Sequence, residues 1–195
     1  MFNFLYNIKA KFVAWVADIR IYPWPMFFIF AGDSHYKIKG PHQRQILNLL
    51  KPGDILLRRY DHYLGSITIK GYWSHAALYV GDDHVIHMLG EGVTKEDILT
   101  FMRCDNIMIL RLKENPDVVP GVIDKAYKFL NEGVNYDYNF DYTSPKRLYC
   151  TEMVDNCIGY KVKQKYPMEK FILPDHFKSL VGDVFEFIWT KDKQE

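Results

Sequence analysis

The stretch RLYCTEMVDNCIG, Arg147 to Gly159, decides the reading of this chain, because a cysteine stands where a polar loop turns into a helical pattern. Met153, Val154, Cys157 and Ile158 recur at the spacing of one helix face, so a helix opens at Cys150. A thiol in the first turn of a helix meets unpaired backbone N–H groups and the positive end of the helix dipole, and both favour its thiolate. The same N–H groups suit the oxyanion that forms when a thiolate attacks an acyl carbonyl. The bland alternative is that Cys150 is a small buried hydrophobe. A base supplied from elsewhere in the chain separates the two.

Upstream, DILLR (Asp54 to Arg58), HAALYV (His75 to Val80), HVIHML (His84 to Leu89) and IMILRL (Ile107 to Leu112) are short apolar runs bounded by Gly, Asp and Asn, as strands are. The GDD at Gly81 to Asp83 is a hairpin signal between two of them. Strand side chains alternate, so His75, Ala77 and Tyr79 share one face, and Val85, His87 and Leu89 share one face of the next strand. If the register brings those faces together, both histidines project to one place. An imidazole there takes the thiol proton and later protonates the leaving group, while a third polar residue orients it. His75 as base and His87 as orienting residue complete that set with Cys150. Two histidines and a thiolate are also a zinc set, and a binding module that keeps the pocket without the chemistry is a third reading.

The order KPGDILL, WSHAALYVG, VIHMLGEGV, VNYDYNFD, LYCTEMV resembles the circularly permuted NlpC-type papain-like cysteine hydrolases, in particular the YiiX-like branch. In permuted members the strands come first and the cysteine helix last. The lecithin:retinol acyltransferase group is similar and also carries a second histidine 12 residues after the first, as between His75 and His87 here. The resemblance spans about Lys51 to Gly159 and implies Cys150 as nucleophile, His75 as general base and His87 in the third polar position. YiiX-like members often have a glutamate in that third position and a serine after the cysteine, where this chain has His87 and Thr151. The implied fold is α+β, with an antiparallel sheet of four to six strands packed against the cysteine helix and a helix opening at Pro120. The implied function is a cysteine hydrolase or acyltransferase acting on an amide or ester of a peptide, a cell-wall peptide or a lipid, through an acyl-enzyme on Cys150 and without a cofactor or metal.

The remaining features frame that expectation. With 48% hydrophobic residues in 195, one globular domain is expected, residues 1–50 as a helical extension and 51–195 as the hydrolase domain. The 25 basic and 24 acidic residues leave a charge of +1, which gives no field for a nucleic-acid backbone. Three cysteines, Cys104, Cys150 and Cys157, fit neither a disulfide framework nor a CxxC pair and indicate reduced thiols. Cys104 and Cys157 read as core, Asp54 as a turn cap and Glu152 as an acid complementing its helix N-terminus. The cluster Tyr136, Asp137, Tyr138, Phe140 reads equally as a folded loop or a pocket wall, and Arg59 to Trp73 as a lid or a plain connection. Residues 2–21 carry an amphipathic helical pattern with basic residues, which docks on the domain or lies on a lipid surface as a peripheral membrane contact. The apolar run from Ile21 holds only about a dozen residues and two prolines, too short to span a bilayer, and no secretory signal is visible, so a cytoplasmic, at most membrane-associated, protein is expected.

Overall fold

Short alternating strands and tight turns generate the centre of the molecule. The structure, a computed structural model, describes residues 36–61, 63, 69–114, 116–140, 142 and 146–191, together with 8, 11, 12, 15, 16, 20, 21, 28 and 29. Its main sheet has six strands: β3 (Ile55–Arg59), β4 (His75–Gly81), β5 (His84–Leu89), β6 (Gly92–Asp97), β7 (Asn106–Leu112) and β10 (Phe185–Thr190), while β8 (Asn135–Tyr136) and β9 (Arg147–Leu148) form a separate parallel pair. They lie in the order β10-β7-β3-β4-β5-β6, with every neighbouring pair antiparallel. The turn between β4 and β5 holds Asp82 and Asp83 at φ 48° and 57°, the left-handed pair whose twist matches flanking strands.

Alternation divides the core between the two faces of this sheet. Ile55, Leu57, Ala76, Leu78, Ile86 and Met88 face α3 (Val119–Glu132) and α4 (Cys150–Cys157), meeting Val122, Ala126, Met153 and Val154. Leu56, Ala77, Tyr79 and Val85 face the other way, against Ile38, Ile46 of α1 (Gly40–Leu49) and Phe101 of α2 (Ile98–Phe101). Each fully buried Leu, Ile or Phe of these layers contributes roughly 1.5–3 kcal/mol of transfer free energy. Helix α3 opens on Pro120 in its first turn and stops at Gly133, whose φ of 60° gives the left-handed end that glycine adopts without strain. Two short helices follow α4: α5 (Lys161–Lys165) and α6 (Pro174–Ser179).

The α+β expectation holds, with an antiparallel sheet of six strands packed against the cysteine helix and the helix that opens on Pro120. Several local readings change. Strand β6 and helix α2 were not expected, because β6 is a sheet edge whose Thr94, Lys95, Glu96 and Asp97 give no apolar alternation. The helical pattern is met at Ile8, Lys11, Phe12, Trp15 and Val16, with Ile8, Phe12 and Trp15 exposed, but Arg20–Ile21 pairs as β1 with β2 (Phe28–Ile29), so the helix does not reach 21. A β-branched residue two positions before Pro23 favours extended backbone there. The rest of that helix, Pro23 and Pro25, and residues 62 and 64–68 of the stretch read as a lid or a plain connection lie outside the described residues. Among the described residues, no helix is long and apolar enough to cross a membrane.

The KPGD turn is fastened from inside. Asp54, fully buried, accepts the Lys51 N–H at 2.8 Å and takes the Arg111 guanidinium in a fork, Nε and Nη2 each at 2.7 Å. Arg111 also reaches the last turn of α1 at the Leu49 carbonyl. Asp54→Ala leaves this guanidinium without its carboxylate, and a loss of about 2–3 kcal/mol is expected in urea unfolding, with an unchanged slope.

Candidate active site

Register answers the first question about the histidines. Ala77 of β4 pairs with His87 of β5, so the face of His75, Ala77 and Tyr79 is also that of His87. His75 Nε2 and His87 Nδ1 lie 2.8 Å apart, with the rings edge to face at 78°. His87 is fully buried and His75 is half-buried at the start of its strand. Because the two nitrogens face one another, the pair does not open toward a common cation. Among the described residues, no group of three His, Cys, Asp or Glu side chains is arranged to hold a metal.

The row of polar groups is longer than the sequence suggests. Arg58 of β3 pairs with His75, and Glu96 of β6 pairs with Val85, so alternation puts Arg58, His75, His87 and Glu96 on one face. Glu96 Oε2 is 3.5 Å from His87 Nε2 and 3.7 Å from Arg58 Nη1. Phe101 covers them: Arg58 lies 4.3 Å over its ring, its ring centroid is 5.4 Å from that of His87, and its carbonyl accepts from Arg58 Nη1 at 3.3 Å. Arg58 looked like a strand end. Its only signal was its place two residues beyond Leu56 on the His75 face, and Glu96 gave none without the register of a third strand pair.

Cys150 comes from the other side of the sheet. It opens α4, packs with Met153 and Val154 against β4 and β5, and is buried. The N-terminal turn is locked: Glu152 accepts the Tyr149 N–H, the Tyr149 hydroxyl accepts the Ile172 N–H at 2.9 Å, and Thr151 donates to the Ile172 carbonyl at 2.6 Å. Asp175 in turn accepts the Trp73 N–H at 2.9 Å, tying α6 to the segment that leads into His75. The Cβ that any other residue would add at Gly71, held at φ 107°, would fall 2.4 Å from the same carboxylate oxygen.

The two approaches meet at one cavity of about 370 Å³, whose lining includes His75, Cys150, Thr151, Tyr136, Phe140, Tyr149, Phe171, Ile172, Lys70 and Lys170. Tyr136 and Phe140 thus stand in a cavity wall, while Asp137 turns inward, buried, to accept the Asn139 N–H. Burial pushes the Cys150 thiol up, opposed by backbone N–H groups of Ala76, Thr151 and Cys150 itself and by the charge of Arg58. Burial also holds His75 and His87 well below the ordinary histidine range, with Arg58 adding to both and His87 adding to His75. Burial thus favours the neutral form of sulfur and ring alike.

A family model described as permuted papain-like amidase enzyme, YaeF/YiiX, C92 family, matches residues 49–192. The chain belongs to this family. The amidase is accordingly a papain-like thiol hydrolase, and the match extends past the cysteine helix, beyond the stretch the motifs spanned, to take in the Ile172 segment, α6 and β10. No curated relative and no solved structure matches the chain.

The buried rings carry a consequence for stability. In the unfolded amidase both histidines return to about 6.5 and take up protons more readily than in the fold. The stability contributed by neutral rings is complete above about pH 6.5 and falls as pH drops from there toward the depressed values. Urea midpoints should decline from pH 7.5 to 5.5, and less steeply in His87→Asn.

Proposed function

We propose that Cys150 is the nucleophile of this amidase, His75 its general base and His87 the residue that orients His75. The observation that carries the reading is the shared cavity: it is lined by Cys150, at the first turn of a helix, and by His75, whose Nε2 is already engaged by His87. That engagement leaves Nδ1 of His75 for the thiol. In the proposed cycle the thiol proton passes to Nδ1 as sulfur bonds to the carbonyl carbon of an amide or ester. The backbone N–H groups that converge on the sulfur, those of Ala76, Thr151 and Cys150, support an oxyanion there. The imidazolium proton then goes to the leaving amine or alcohol as its bond to carbon breaks. Water, activated by the same ring, releases the acid and restores the thiol. An acceptor alcohol or amine in place of that water gives acyl transfer, and the described geometry favours neither course.

The lining favours an apolar acyl portion. Tyr136, Phe140, Tyr149, Phe171, Ile172 and Leu173 line the cavity together with Cys150, and a cavity of about 370 Å³ is of the size that holds a small organic ligand rather than a folded chain. A lipid-derived or fatty acyl amide or ester fits this better than a polar cell-wall peptide. Exposed Ile8, Phe12 and Trp15, beside Lys11, are in keeping with delivery from a membrane surface.

Thiol labelling tests the reading. Cys104 and Cys157 are buried and pushed up to about 12, so neither competes. Iodoacetamide should add once to the native protein, at Cys150, at least tenfold more slowly in His75→Ala. p-Nitrophenyl octanoate should leave an acyl adduct in intact-mass spectra that is absent from Cys150→Ser, and should outperform the acetate ester. Labelling that ignores His75, or an adduct that survives Cys150→Ser, defeats the assignment and leaves a binding module of the same fold.

A further inference from the structure

Three buried polar atoms on the histidine face have no hydrogen bond: Arg58 Nε, His87 Nε2 and Glu96 Oε2. The last two are 3.5 Å apart. Catalytic hydrogen bonds are often long in unliganded proteins and tighten when substrate arrives. We propose that Glu96 is the positioning residue of the row: it holds the His87 proton on Nε2, which bares Nδ1 of His87, draws the His75 proton to Nε2, and leaves Nδ1 of His75 unprotonated for the thiol. This inference rests on the thiol-hydrolase reading above.

The need for such a residue follows from the chemistry of the third position. A carboxylate there is only an acceptor, so it dictates which nitrogen of the base carries the proton. An imidazole donates from one nitrogen and accepts at the other, and dictates nothing until something else settles its own tautomer. If His87 carried its proton on Nδ1, its bare Nε2 would face the carboxylate, lone pair against lone pair, at 3.5 Å in a site closed by Phe101. His75 would then accept at Nε2 and carry its proton on Nδ1, a ring unable to take a proton from sulfur. Glu96 excludes that arrangement.

Arg58 keeps the carboxylate fit for the task. Its Nη1 is 3.7 Å from the same Oε2, which favours the ionised form against burial, and its charge opposes a proton excess on either ring. The charged groups facing the pair are Arg58 from β3 and Glu96 from β6, while α2 presents the uncharged Phe101. Proton order here is thus set by one anion at the sheet edge, two residues away from the sulfur through a chain of nitrogens.

The test is histidine ¹⁵N spectroscopy on the full chain at pH 7.5. Long-range ¹H–¹⁵N correlations should show Nε2 protonated and Nδ1 bare in both His75 and His87. In Glu96→Leu the two protons should redistribute toward Nδ1, and turnover of p-nitrophenyl octanoate should fall about 100-fold in kcat with KM unchanged. Glu96→Gln keeps an acceptor oxygen and should restore the order and most of the rate. A wild-type His75 with Nδ1–H overturns the proposal, as do tautomers and rates indifferent to both substitutions. If Glu96→Leu fails to fold, the wild-type and Glu96→Gln spectra decide. Intact Nε2–H order with an unreactive Cys150 upholds the proton order and defeats the hydrolase reading, whereas a reactive Cys150 with the reverse order defeats the proton order alone.

Discussion

The pairing of Ala77 with His87 is the constraint on which the rest of the molecule depends. It places the two histidines on one sheet face, beside a two-residue turn of left-handed aspartates and a register shift between Tyr79 and Gly81. A slip of one residue would carry His87 into the layer occupied by Ile86 and Met88, beneath α4, and bring Ile86 and Met88 to the opposite face. Both hydrophobic layers and the nitrogen-to-nitrogen contact would fail together. Core packing and site geometry are therefore enforced by the same hydrogen-bond ladder.

That ladder supports an arrangement that burial alone would disfavour. Arg58, His75, His87 and Glu96 run across four adjacent strands within an otherwise apolar face. With neutral rings the row carries one positive and one negative charge at its ends, so it closes electrically without burying a net charge. Ion pairs buried in this way add little stability over apolar residues of equal volume, and removing one member is costly. A hydrocarbon row would have served the fold as well. The retained polarity is in keeping with a functional row, which shares a cavity with Cys150 through His75, the first residue of β4.

The chain disclosed its strands where burial was one-sided or complete. Leu56, Ala77 and Val85 alternate with residues of the opposite layer, Gly81 to Asp83 mark the turn, and Met153 and Val154 mark the buried stripe of α4. It concealed β6 because an edge strand with exposed Lys95 and Asp97 has no period to detect. Glu96 was hidden with it. The spacing of His75 and His87 could be counted, but the partner of His87 depends on which residue of a polar strand lies diagonally across, a tertiary fact. The Ile172 segment was unreadable for a related reason: its bonds to Tyr149 and Thr151 join residues some twenty positions apart and obey no local pattern.

One cavity wall ties the proposed chemistry to the proposed substrate. Tyr136, Phe140 and Tyr149 line the cavity beside Cys150, and the same burial that raises the thiol lowers the imidazole, which favours a neutral pair over a thiolate facing an imidazolium. A neutral pair is a poor nucleophile until a carbonyl is present to receive the charge. In the proposed cycle the proton then moves to His75 as negative charge moves past sulfur to the acyl oxygen and the backbone N–H groups. On the proposed reading the site responds to an acyl group apolar enough to occupy the wall. Selectivity and reactivity are in this sense a single property of the lining, and polar substitutions at Tyr136 or Phe140 would alter both at once.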